Sequence, residues 1–310
     1  MTASALEEVR DPLTLLRAWY LAERRDLPWR RPGIPAWDVL VSEVMLQQTP
    51  VSRVVPAYRA WLERWPGPAE LSAASPADVL RQWDRLGYPR RALRLQAAAG
   101  IVMARHGGQV PDELDALLAL PGVGEYTARA VLVFAHGRRA PVVDTNVRRV
   151  VIRWAHGKEA ADRLPLAEVE RLLPADLHDA VLTSAALMEL GAVTCVARSP
   201  RGGACPLAGG CRWREAGAPP LPVPRRVGQL WEGTVRQARG RIMALLRAGP
   251  GTEGTGGTEG TEGTASADEV LAAVPDASLR QRAIAGLVAD GLAVVVERGD
   301  GELAQLALPG

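Results

Sequence analysis

The sequence is poor in the features that mark several protein classes. It has three cysteines in 310 residues, Cys195, Cys205 and Cys211, which argues against a disulfide framework and towards a metal site or plain packing. No apolar run approaches the eighteen or so residues that a membrane helix needs. Met1 to Pro12 carries Glu7, Glu8 and Asp11 and lacks the apolar stretch of a secretory signal. A cytoplasmic protein with no membrane partner is expected. Phenylalanine occurs once against nine tryptophans, a balance that nothing in the sequence explains. Strong charge of either sign is also missing, since the net charge is +2.

What is present is ordinary in amount and uneven in distribution. An apolar fraction of 47% and a charged fraction of 23% suit a globular protein, and the length suggests two or three domains. Between Leu120 and Arg153 six arginines stand against Glu125 and Asp144. That local excess is the kind of patch that meets a polyanion.

Most of the chain reads as short helices set apart by Pro and Gly, with apolar positions recurring three and four apart. Examples begin at Pro12, span Trp37 to Gln48 and Pro56 to Trp65, and run from Pro76 to Leu86. The fold class is mainly α. A helical domain over 1–217 is followed by a proline-rich linker over 218–230 and a third segment over 231–310. In the last segment Thr234 to Arg247, Ala267 to Val274 and Leu279 to Asp290 read as helices. Gly291 to Leu308 reads as a hairpin turning at Gly299, Asp300 and Gly301. Three helices and a hairpin suggest a winged-helix-like module, with a Gly/Thr/Glu insert over 249–264 too poor in apolar side chains to order itself.

Two stretches carry candidate chemistry. The helix of "WDVLVSEVMLQQT" is apolar nearly all round, which marks a buried helix, and Glu43 sits in its middle. Loss of water raises a carboxyl pKa and keeps a proton available for general-acid work. A buried Glu bonded to an Arg or a helix end fits the spacing equally well. In "LPGVGEYTARAV" the glycines Gly122 and Gly124 precede a helix, where backbone N–H groups and the helix dipole attract a phosphate. Alone they fit an ordinary helix–helix turn, just as Asp144, before Thr145 and Asn146, fits an N-cap.

Taken together, these stretches resemble the helix–hairpin–helix DNA glycosylase superfamily. "SEVMLQQTPV", "LPWR", "LGYPRRA" and "MELGAVTC" resemble the A/G-mismatch-specific adenine DNA glycosylases, in order, over about Leu13 to Arg214. The resemblance implies two helical subdomains with the active site in the cleft between them. One would be a six-helix module over about 30–135; the other would combine the N-terminal helix with about 136–217. It implies hydrolysis of adenine mispaired with 8-oxoguanine or guanine in double-stranded DNA, by a monomer, as a step of base excision repair. Glu43 would protonate the base and Asp144 would stabilise the sugar cation. Trp29, Arg30, Leu46, Glu189 and Asn146 would lie at the adenine pocket. Gln48, Tyr88 and residues Leu120, Gly122, Val123 and Gly124 would meet DNA. Tyr126 stands where bifunctional relatives carry a Schiff-base lysine, so a monofunctional glycosylase leaving an abasic site is expected. A mismatch thymine glycosylase of the same superfamily and a non-catalytic DNA-binding regulator are the alternatives.

The sequence departs from the family twice. The family binds a [4Fe–4S] cluster through C-x6-C-x2-C-x5-C. The loop over 195–211 offers Cys195, Cys205 and Cys211 but has Gly202 at the second ligand position, and glycine cannot ligate. A three-cysteine cluster, another metal such as zinc, and no metal are all open. The segment after Arg225 is also too short, and wrongly patterned, for the Nudix-like domain that many family members use on 8-oxoguanine.

Overall fold

A computed structural model describes residues 11–159, 163–219, 231–248, 263–297 and 303–310. In chain order its helices begin with α1 (Pro12–Glu23), α2 (Ala36–Leu46), α3 (Val51–Arg64), α4 (Pro68–Ala73) and α5 (Pro76–Trp83). Next come α6 (Arg90–His106), α7 (Leu114–Leu118), α8 (Glu125–Phe134), α9 (Thr145–Val151), α10 (Leu166–Leu172) and α11 (Leu177–Val193). The remainder are α12 (Arg212–Glu215), α13 (Val235–Ala248), α14 (Ala267–Ala273) and α15 (Ala277–Ala289), with strands β1 (Thr264–Ser266), β2 (Val294–Glu297) and β3 (Leu303–Ala307). Among the described residues no helix is long and apolar enough to cross a membrane.

The chain divides into two compact units. The first takes the described residues of 1–43, 111–119 and 123–224; the second takes those of 44–110, 120–122 and 225–310. In the first unit, Leu16 and Tyr20 of α1 pack with Val147, Val150 and Val151 of α9 and with Ala186, Leu187 and Leu190 of α11. Aspartates cap all three helices: Asp11, Asp144 and Asp176 each accept a backbone N–H from the first turn. Helix α11 is apolar on most sides and correspondingly buried along its length. At Gly191 it passes so close to α9 that an added Cβ would lie 2.7 Å from the Asn146 Cβ.

In the second unit tryptophans do the packing. The Trp61 ring meets Trp65 at 4.7 Å and Trp83 at 5.4 Å between centroids, both edge-on. Helix α5 opens as its sequence predicts, with Ser75 as cap and Pro76 in the first turn. Its Leu80 shares one core with Ile242 and Leu246 of α13, Val270 of α14, Leu287 of α15 and Leu306 of β3. Among the described residues the C-terminal segment thus has three helices and a small antiparallel sheet in the order β1-β3-β2.

Three local readings need correction. Helix α2 ends at Leu46 instead of running on to Gln48 or Thr49, because Gln48 takes a left-handed φ of 57°. Helix α3 starts at Val51 and carries Pro56 inside it, so the proline interrupts one hydrogen bond without starting the helix. Thr264, assigned to the unordered insert, begins a strand whose Ala265 is buried opposite Leu306. The hairpin turn at Gly299, Asp300 and Gly301, the linker over 220–230 and the insert over 249–262 lie outside the described residues.

Candidate active site

Within the first unit, α2 delivers Glu43 to a place where it is only 6% exposed. Burial pushes its pKa up to about 7. A hydrogen bond from the Tyr126 hydroxyl and the nearby Arg30 charge oppose the rise, while Asp144 adds to it. Burial, with Glu43 and Asp144 nearby, drives the Tyr126 phenol well above its ordinary value, so this group stays a donor. The sequence spacing left Glu43 balanced between an acid and a bonded structural carboxylate. Its partner is a tyrosine beside a second carboxylate, and burial, helped by that carboxylate and opposed by the tyrosine, keeps its pKa near neutrality.

Asp144 serves as cap and as charge together. One carboxylate oxygen accepts from the backbone N–H of Val147 at 2.7 Å, and the other accepts from Asn146 Nδ2 at 2.8 Å. Burial raises its pKa, opposed by those two bonds, by the Asn146 N–H and by Arg149. Arg149 in turn donates to Asn146 Oδ1 at 2.7 Å and to the carbonyls of Gly191 and Cys195 at 2.5 and 2.6 Å. The absent side chain at Gly191 is what lets α11 come close enough for this network. Glu43, Tyr126, Asp144 and Asn146 are thereby brought into one electrostatic neighbourhood.

Glu189 is fully buried and ion-paired twice. Arg25 donates to it through Nε at 2.7 Å, Nη2 at 2.8 Å and its backbone N–H at 3.1 Å, while Arg30 Nη1 stands 2.9 Å away. Burial alone would raise its pKa, but these partners hold it down at about 2. The carboxylate therefore anchors Arg30, whose guanidinium also lies 5.8 Å from the Tyr20 ring centroid. Trp29, 8% exposed, lies in the 3-10 turn that carries Arg30.

In the second unit one buried guanidinium organises two loops. Arg91 Nη1 donates to the carbonyls of Val44, Met45 and Gln47 at 2.8, 3.0 and 2.6 Å. Its Nη2 donates to Thr49 Oγ1 at 2.9 Å and to the carbonyls of Leu86 and Gly87 at 3.2 and 3.0 Å. Leu46 ends α2, half-buried, and beyond it come Gln48 and Tyr88, both exposed and both in the left-handed region, with φ of 57° and 48°. Such backbones cost on the order of 1–3 kcal/mol each. The Arg91 bonds hold both in place. Sequence reasoning missed Arg91, Arg25 and Arg149. The only signal was their position inside or next to quoted motifs, and an arginine's carbonyl partners leave no spacing to detect.

In the glycine loop, Leu120 and Val123 are buried at 2% and 7% exposure. Gly122 has a φ of 82° and Gly124 is the N-cap of α8, so what this loop offers outward is backbone. Gln47 Nε2 lies 3.4 Å from the Gly122 carbonyl.

Cys195, Cys205 and Cys211 line one small hollow of about 30 Å³, together with Arg153, Trp213 and Arg214. They line it without converging: among the described residues no three His, Cys, Asp or Glu side chains are placed to hold one metal ion. A Cβ built on Gly202 would meet Arg214 Nε at 3.5 Å, and Arg214 Nη1 donates to the Gly202 carbonyl at 3.0 Å. An arginine thus faces the position where the family places its second thiolate, and the residues present do not supply a four-thiolate set. Arg153 supports the loop instead, donating to the Val196 carbonyl at 2.8 Å and to Glu159 at 3.0 Å beneath the Trp213 ring.

With this geometry in view, the comparisons are decisive. Residues 41–174 match the model of the HhH-GPD superfamily base excision DNA repair proteins. The chain is 50% identical to the adenine DNA glycosylase of Mycolicibacterium smegmatis, over 94% of this chain and 95% of that one. The chain belongs to the adenine DNA glycosylases. Glycosylases of neighbouring specificity share the fold of the helical part. A thermostable thymine-DNA glycosylase covers 66% of this chain and 95% of its own at a TM-score of 0.59 and 27% identity. A trapped endonuclease III–DNA covalent intermediate covers 67% and 95% at 0.57 and 25%. The adenine DNA glycosylase likeness, unlike these two, extends through the C-terminal segment.

Proposed function

We propose that this chain hydrolyses the N-glycosidic bond of adenine mispaired with 8-oxoguanine or guanine in duplex DNA and leaves an abasic site. It would act as a cytoplasmic monomer. The observation that carries this reading is a near-neutral acid, Glu43, hydrogen-bonded to Tyr126 and coupled to Asp144. The family assignment supplies the substrate class, since the relative at 50% identity is named an adenine DNA glycosylase.

The chemistry follows from the two carboxyls. Adenine must leave the stack, which costs a few kcal/mol. Protonated Glu43 gives its proton to an imidazole nitrogen of the base. The C1′–N9 bond then breaks with its electron pair on the adenine, and positive charge develops on the sugar. Ionised Asp144 faces that charge from a fixed position, and fixed charge in a dry site stabilises far more than mobile charge in water. A water adds its oxygen to C1′, and its proton restores Glu43. Tyr126 cannot form a Schiff base, so no imine link to the sugar and no strand cleavage accompany the reaction. No step passes through the cysteine loop.

Gln48 and Tyr88 would engage the duplex where the adenine departs, and the backbone over 120–124 would hold a phosphate. Base-release assays on duplexes containing A:8-oxoguanine, A:G, A:C and T:G test the reading. Adenine release from the first two is expected; thymine release from T:G without adenine release would replace it with the thymine alternative. No release from any duplex would favour the regulator.

A further inference from the structure

The C-terminal segment does not hang from the second unit as a separate appendage. It shares a core with Leu80 of α5, Arg247 Nη1 donates to the Asp84 carbonyl at 2.7 Å, and Arg90 pairs with Asp290 at 3.0 Å. These contacts fix α13 against the loop that carries Tyr88. The Arg236 guanidinium, in the first turn of α13, lies 5.8 Å from the Tyr88 ring centroid and 5.5 Å from that of Trp231. All three side chains are exposed, Tyr88 at 48% and Trp231 at 53%.

Ring, cation and ring thus form one exposed row beside the Tyr88 loop. Aromatic faces flanking a cation suit unstacked bases and phosphates. We infer that Arg236 and Trp231 extend the surface begun by Tyr88 and grip the DNA strand opposite the excised adenine. Arg236 supplies charge to a phosphate and Trp231 a face for a base. This rests on the proposed function, because it takes Tyr88 to be a DNA contact. It assigns the C-terminal segment a direct part in recognition without a Nudix-like fold.

The test uses the full chain and duplexes in which a non-hydrolysable adenine analogue faces 8-oxoguanine, with affinity read by fluorescence anisotropy at fixed salt. Trp231→Ala and Arg236→Glu are each expected to weaken binding on the order of tenfold or more. Arg282→Glu, the same charge change at an exposed site elsewhere on the segment, is expected to keep wild-type affinity. Neither Trp231 nor Arg236 is buried, so melting temperatures should match wild type and exclude misfolding. Wild-type affinity in both Trp231→Ala and Arg236→Glu would overturn the inference, and so would equal losses in Arg236→Glu and Arg282→Glu. Failure of the functional reading looks different: the unmodified protein would release no adenine from the hydrolysable duplex.

Discussion

The Tyr126 hydroxyl donates to the Glu43 carboxylate, joining the hairpin helix α8 to the buried helix α2 within one unit. This bond uses the position where bifunctional relatives keep a nucleophilic lysine. In the proposed function the tyrosine tunes the acid, lowering the Glu43 pKa that burial raises, and does not attack the sugar.

Borohydride should therefore trap no enzyme–DNA adduct, and product strands should stay intact until treated with alkali. Tyr126→Phe removes a bond that favours the Glu43 carboxylate. Its acid should then keep a proton to higher pH, moving the alkaline limb of the rate profile upward. Trapping of the wild-type chain, or a downward shift in Tyr126→Phe, would contradict the assignment.

Asp144 caps α9, the proposed function also gives it the charge under the sugar, and one substitution separates the two roles. Asparagine caps helices about as well as aspartate, so Asp144→Asn should melt within a few degrees of wild type. Its adenine release should fall by on the order of a hundredfold or more, as for loss of a preorganised electrostatic group. A variant that is fully active, or one that is inactive only because it unfolds, would assign Asp144 to the cap alone.

Arg91 donates six hydrogen bonds to the loops of Gln48 and Tyr88. Arg91→Lys keeps the charge and loses the fork. Each orphaned buried acceptor costs about 1–3 kcal/mol, so a clear drop in melting temperature is expected. Discrimination between mispaired and paired duplexes should fall with it. Unchanged melting and unchanged discrimination would show that the two strained backbones hold themselves.

The cysteine loop is braced by Arg149, Arg153 and Arg214 through main-chain carbonyls. Chelation after anaerobic purification should consequently leave helical content and adenine release as they were. Four irons and four sulfides per chain, with a large fall in melting temperature on their removal, would show that three thiolates suffice and that the arginine brace does not.

Much of this site was legible before any coordinates. Glu43 in the middle of a helix apolar nearly all round fits a desolvated acid and a bonded structural carboxylate equally well, and Asp144 two residues before Asn146 reads as a cap whose second role comes only from the family resemblance. Tyr126 stood out only against the family's lysine. Arg91 was invisible because its partners are carbonyls, which every residue has. The end of α2 was misplaced because Gln47, Gln48 and Thr49 continue an acceptable helical pattern, whereas Gln48 takes a left-handed φ and Arg91 holds the Gln47 carbonyl and the Thr49 hydroxyl. Strand β1 has three residues, too few for alternation to register, and its pairing with β3 is set 39 to 43 residues away in sequence.

The central claim is that a proton held by buried Glu43 drives departure of the base. The most direct measurement is the single-turnover rate of adenine release from an A:8-oxoguanine duplex between pH 5 and pH 9, for wild type and Glu43→Gln. With the acid's pKa at about 7, the wild-type rate should fall above that pH by roughly tenfold per unit as Glu43 loses its proton. Glu43→Gln should be on the order of a hundredfold slower or more and lack that inflection. A wild-type rate level through pH 9, or a glutamine variant as fast as wild type, would contradict the account.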